Sequence, residues 1–133
     1  MMKSPGLLPF ILIAAMQTFY SCDNHHPPPE QNQMVRLAKL VIDSTQLESY
    51  KAALKEEIEA SVRLELGVLT LYAIAEKDNP THITILEIYA DTNAYKAHLQ
   101  TPHFIKYKTG TKEMVKSLEL VETTPLIPGM KIK

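Results

Sequence analysis

A chain of 133 residues has room for one domain. Its 45% hydrophobic and 22% charged content excludes a disordered protein, a collagen-like repeat and a multi-span membrane protein. A net charge of −1, with 14 basic against 15 acidic residues, offers no basic excess to neutralise phosphates, so no nucleic acid partner is expected. The single cysteine can close no internal disulfide and build no thiolate zinc site, and Trp is absent.

Residues 1–22 read as a signal peptide. Lys3 supplies a positive start, and Leu7 to Met16 is an apolar run. That run is too short to span a bilayer, which takes about 20 residues, but it suits the core of an export signal. Ser21 directly before Cys22 resembles a bacterial lipoprotein processing site, with Cys22 as the lipidated first residue of the mature chain. The alternative is cleavage near Ala14-Ala15, which would leave a free thiol. Lipidation places the protein in the cell envelope, exported and held to a membrane through its lipid anchor only. Residues 23–33 (DNHHPPPEQNQ) form a Pro-rich tether, extended by Pro27-Pro28-Pro29 and able to hold a domain roughly 30 Å from the membrane. His25-His26 lies in that tether without a third ligand nearby and reads as solvated; no metal site is expected.

The domain spans residues 34–125. Met34 to Ile42 is a strand by its β-branched and aliphatic content. Thr45 and Glu48 have capping-box spacing for a helix running to about Glu65, with Leu47, Tyr50, Leu54, Ile58 and Val62 as its apolar stripe and Gly67 as its stop. Val68–Ala75 and His82–Tyr89 form a hairpin around the turn residues Lys77-Asp78-Asn79-Pro80. Asp91 or Thr92 caps a second helical stretch through Leu99. Thr101-Pro102 then starts a further helix to about Lys116, followed by a strand from Ser117 to Thr124. Residues 126–133 are a tail in which Leu126, Ile127 and Met130 are apolar. The order β-α-β-β-α-β makes a ferredoxin-like α+β sandwich.

The strands are apolar on both faces: Ile83 and Ile85 oppose Leu86 and Ile88, and Val35, Leu37 and Val41 oppose Ala38, Leu40 and Ile42. Two helices cover one face only. A second copy of the same sheet is the simplest cover for the other, so a homodimer is expected.

Chemistry-bearing residues are few. Glu87 and Tyr89 share a strand face with Ile83 and Ile85, and a carboxylate in an apolar row needs a partner or a raised pKa. Tyr72 faces Glu87 in one hairpin register and points away in the other. His98 lies on the helix side that faces the sheet, and His103 and Tyr107, four apart, share a helix face. No nucleophile elbow, phosphate-binding glycine loop or dinucleotide fingerprint occurs, which speaks against flavin and nicotinamide enzymes.

The segments Glu65–Tyr72, Leu86–Asp91 and Ala97–Phe104, the last reading Ala-His-Leu-Gln-Thr-Pro-His-Phe, resemble the antibiotic biosynthesis monooxygenase family, quinol monooxygenase type. The resemblance runs from Met34 to about Pro125. It implies a dimeric α+β barrel with a pocket between helices and sheet in each subunit, and no cofactor. It carries Glu87, His98 and His103 as catalytic residues, with Phe104 and Tyr72 in the pocket; Tyr89 and Tyr107 are added as substrate-binding candidates from their faces. The haem-degrading branch is disfavoured, because Trp is absent and Lys108 stands where that branch has a helical His.

The reaction implied is oxidation of a small aromatic or quinol-like substrate by O₂. The substrate does the redox work once a histidine removes its proton, with Glu87 orienting the imidazole and Tyr72 donating to the substrate oxygen. The same residues suit a cofactor-free isomerase of a small carbonyl compound, and the tether and signal also fit a non-catalytic ligand-binding protein of the envelope.

Overall fold

The computed structural model describes Met2 and residues 32–127. Cys22, the signal and nearly all of the tether, and the tail from residue 128 on, lie outside the described residues.

Four strands form one antiparallel sheet: β1 (Met34–Ile42), β2 (Val68–Ala75), β3 (His82–Tyr89) and β4 (Val115–Thr123), in the order β2-β3-β1-β4. Helices α1 (Leu47–Leu64), α2 (Thr92–His98) and α3 (Pro102–Gly110) complete the expected ferredoxin-like α+β fold. β1 and β3 alternate strictly. Ala38, Leu40, Ile42, Ile83 and Ile85 turn toward the helices and make the core with Tyr50 and Leu54 of α1. Val35, Leu37, Leu86 and Ile88 are half-buried on the other face.

Local chemistry sets the helix ends. The capping box expected of Thr45 and Glu48 does not form. Asp43 instead accepts hydrogen bonds from the Thr45 backbone N–H (2.8 Å) and hydroxyl (2.6 Å), making a short 3₁₀ turn at Ser44–Gln46 before α1, while Glu48 pairs with Lys51. Asp91 caps α2 by accepting from Ala94 N at 2.7 Å, and Thr101 caps α3 with Pro102 in its first turn.

The last helix is shorter than its sequence suggests, ending at Gly110 rather than near Lys116. Thr111 is buried and donates its hydroxyl to Tyr107 O at 2.8 Å, Met114 N closes a turn on Thr111 O at 2.9 Å, and β4 therefore starts at Val115. Glycine in the last turn and a threonine bonding backwards stop propagation.

Gly67 is needed for packing. A Cβ there would lie 2.5 Å from Ala94 Cβ, and its carbonyl accepts Ala90 N–H at 2.8 Å. This close approach seats the start of α2 against the end of α1 and so brings residue 65 to the end of α2.

Candidate active site

The buried side of α1 turns along its length. Tyr50 and Leu54 point to the core as expected, but the next buried positions are Glu57 and Ser61, while Val62 of the expected stripe is 51% exposed. The helix thus delivers a carboxylate, 5% exposed, into an otherwise apolar layer.

Beside it lies a cavity of about 330 Å³ between the sheet and the helices. Ala38, Leu40, Leu54, Leu71, Ile85 and Phe104 supply apolar wall; Arg36, Glu57, Glu87, Tyr89, Tyr95, His98 and Tyr107 supply the polar groups. A larger cavity of about 550 Å³ between α1 and β2 is apolar with surface charges at its rim, and those of Lys51 and Lys55 are taken up by Glu48 and Glu59. The smaller cavity holds the groups able to move a proton and is the candidate site.

His98, the last residue of α2, is 2% exposed. Its Nδ1 lies 3.0 Å from Glu65 Oε1 and 3.3 Å from Oε2, and its Nε2 is 3.6 Å from Glu57 Oε1. The ring packs between Tyr89 and Phe104, with centroids at 5.5 and 4.6 Å. His103 Nε2 meets the same Glu65 Oε1 at 2.5 Å, but His103 does not line the cavity. The two histidines are joined through Glu65.

Burial pushes the Glu57 carboxyl above its ordinary range, although the Ser61 hydroxyl donates to it at 2.7 Å. Burial also pushes Glu65 upward, but the bonds from His103 and His98 more than reverse this and leave it below the ordinary range. Glu87 is raised by burial, with the Tyr89 hydroxyl donating to it at 3.2 Å and Arg36 opposing the rise. Burial holds Tyr89 far above the usual phenol range. Tyr107 and Tyr50 share a hydroxyl–hydroxyl bond of 2.6 Å, and burial pushes Tyr50 up to about 12.

Two expectations are corrected. Glu87 does not orient a histidine; Glu65 and Glu57 flank His98 instead. Tyr72 does not reach the cavity: it pairs with Leu86 on the opposite face and is 64% exposed, while its neighbour Leu71 pairs with Glu87 and lines the cavity. The cause is the register shift between Val68 and Thr70, where Leu69 is the extra residue and moves every later β2 side chain to the other face. Tyr89, Phe104 and Tyr107 line the cavity.

Arg36, Tyr95, Glu57 and Glu65 join the expected residues in and beside the cavity. Arg36 donates to the Tyr95 hydroxyl at 2.6 Å, lies over that ring at 4.5 Å and pairs with Glu122. Spacing held a signal for Glu57: positions 50, 54, 57 and 61 recur at four, three and four residues, a helical stripe that a carboxylate happens to occupy.

The profile of the antibiotic biosynthesis monooxygenase family matches residues 34–110. A crystal structure from Bacteroides thetaiotaomicron, described as a candidate antibiotic biosynthesis monooxygenase, is 63% identical. The match covers 78% of this chain and 99% of that one, with a TM-score of 0.77. A candidate monooxygenase from Lactobacillus acidophilus is 31% identical over 71% of this chain and 45% of its own, with a TM-score of 0.67. A further candidate of the family from Nitrosomonas europaea, 21% identical over 73% of this chain and 93% of its own, shares the fold with a TM-score of 0.68. No protein of curated function matches. With more than half of its length matched by the family profile and a 63% identical relative of the same description, the chain belongs to the antibiotic biosynthesis monooxygenase family.

Proposed function

We propose that the protein is a cofactor-free monooxygenase that oxidises a quinol or other small phenolic compound with O₂, and that His98 removes the phenolic proton. The observation that carries this reading is the buried His98 ring at the cavity wall. One of its nitrogens is held by Glu65 outside the cavity, and the other is turned toward Glu57, which lines it. A carboxylate accepting the Nδ1 proton leaves the Nε2 lone pair on the cavity side, the tautomer a base needs.

The cavity suits a one- or two-ring molecule, being at the lower end of the roughly 300–1,000 Å³ usual for small-molecule sites. Phe104 and the aliphatic wall take the ring. Deprotonation makes the ring electron-rich enough to pass an electron to O₂. The radical pair recombines to a hydroperoxide, and loss of water leaves a hydroxyquinone. One oxygen atom enters the product and the other leaves in water; the quinol supplies both electrons, so no external reductant is required.

The apolar face of the sheet away from the helices supports a homodimer in which two sheets pack face to face, and the export signal with Cys22 supports membrane attachment in the envelope. Oxygen uptake with a panel of quinols tests the central reading: one O₂ is consumed per quinol, with one labelled oxygen in the product from ¹⁸O₂. Turnover of none of them above the buffer rate would overturn it.

A further inference from the structure

Two imidazoles and a carboxylate converge just outside the cavity. Glu65 ends α1, His98 ends α2 and His103 lies in the first turn of α3, and their ligand atoms all fall within 4.8 Å of one another. We propose that Glu65, His98 and His103 form a binding site for a divalent transition-metal ion of the zinc class.

The chemistry of the donors fits such an ion. Imidazole nitrogen and carboxylate oxygen suit Zn²⁺ and its neighbours, and three protein ligands leave a fourth position for water. The site is pre-assembled from fixed parts. The contact of Gly67 with Ala94 docks α2 on the end of α1. The four residues between the histidines are locked by Thr101, whose hydroxyl donates to His98 O at 2.8 Å while its oxygen caps α3.

Behind the first ligands stands the group that metal-bound histidines commonly have, a carboxylate for the other ring nitrogen. Glu57 Oε1 faces His98 Nε2 at 3.6 Å and is itself held by Ser61 at 2.7 Å. In the proton-bound form, the N–H groups of His98 and His103 both donate to Glu65. The ion takes the place of those two protons, and the ligand atoms, now within 4.8 Å of one another, adjust to about 3.3 Å apart for tetrahedral bonds of about 2.0–2.1 Å. Both oxygens of Glu65 already face His98, at 3.0 and 3.3 Å, so either can turn to meet the ion.

An ion on Nδ1 shifts the His98 proton to Nε2, on the Glu57 side, so the bound ion blocks the base of the phenol-oxidising reading; binding itself is measured without turnover. The full chain, stripped with chelator, is titrated with Zn²⁺ by calorimetry and with Co²⁺ by visible absorption. One ion per chain is expected, with a tetrahedral Co²⁺ spectrum. Glu65→Gln and His103→Ala should each weaken binding at least 100-fold, Glu57→Gln about 10–100-fold as an outer carboxylate does. His82→Gln and the paired change His25→Ala with His26→Ala should leave it unchanged. His103 is at the edge of the cluster, so His103→Ala decides the matter if Glu65→Gln does not fold. Absence of stoichiometric binding, or equal affinity in the parent and His103→Ala, means a hydrogen-bonded cluster only and overturns the proposal.

Discussion

Glu65 and His98, 33 positions apart, meet at 3.0 Å because the end of one helix is docked on the end of another. Glu65→Gln keeps the shape but loses the charge that holds the imidazole. We expect kcat/KM with a quinol to fall at least about tenfold, or about 1.4 kcal/mol of transition-state stabilisation. The urea midpoint should fall as well, since a buried imidazole that loses a charged partner costs about 1–3 kcal/mol. Equal kinetics in parent and variant would remove Glu65 from the site.

Gly67 makes that docking possible. In Gly67→Ala the new methyl would meet Ala94 Cβ at 2.5 Å, with backbone at 3.5 Å behind it, so α2 must move. Overpacking of this kind costs about 1–3 kcal/mol. Thermal unfolding should show the loss, and the same variant should lose activity because His98 rides on α2. A Tm and rate equal to the parent would show that the contact is easily relieved.

The fold was legible where the pattern is local. The bounds of β1, β2 and β3 follow directly from apolar runs and turn residues, and Asp91 and Thr101 announce their helices. What was missed depends on partners distant in the chain. Thr111 stops α3 through a bond that competes with helix propagation. The extra residue at Leu69 decides which way Tyr72 points, and nothing in an alternating sequence marks a bulge. Glu57 and Glu65 look like ordinary surface charges of an amphipathic helix until α2 and α3 bring histidines to them.

Asp43 gives the stability a defined acid limb. Its bonds from the Thr45 hydroxyl and backbone and from Lys116 hold its pKa at about 2, against 3.8 for the free side chain. A carboxyl with a lowered folded pKa stabilises above the unfolded value and loses that contribution as pH falls through the folded one. Between about pH 4 and 2 the parent should therefore lose stability that Asp43→Asn lacks from the start. Denaturant midpoints across that range check this; parallel curves for the two proteins would contradict it.

The outward face of the sheet carries Leu37 opposite Leu86. Leu37→Glu should convert the proposed dimer to monomer, because a carboxylate set beside Val35, Leu86 and Ile88 must lose its water between the two sheets. Light scattering at micromolar concentration reads the mass directly. A monomeric parent would rule the dimer out.

In the proposed reaction His98, and not His103, takes the proton. Steady-state O₂ uptake with a turned-over quinol, compared between His98→Ala and His103→Ala, tests it. His98→Ala should lose kcat by about 10²–10⁴-fold, the usual contribution of a positioned base. His103→Ala, which removes only a second bond to Glu65, should lose far less. Equal kcat in His98→Ala and the parent would show that His98 is not the base.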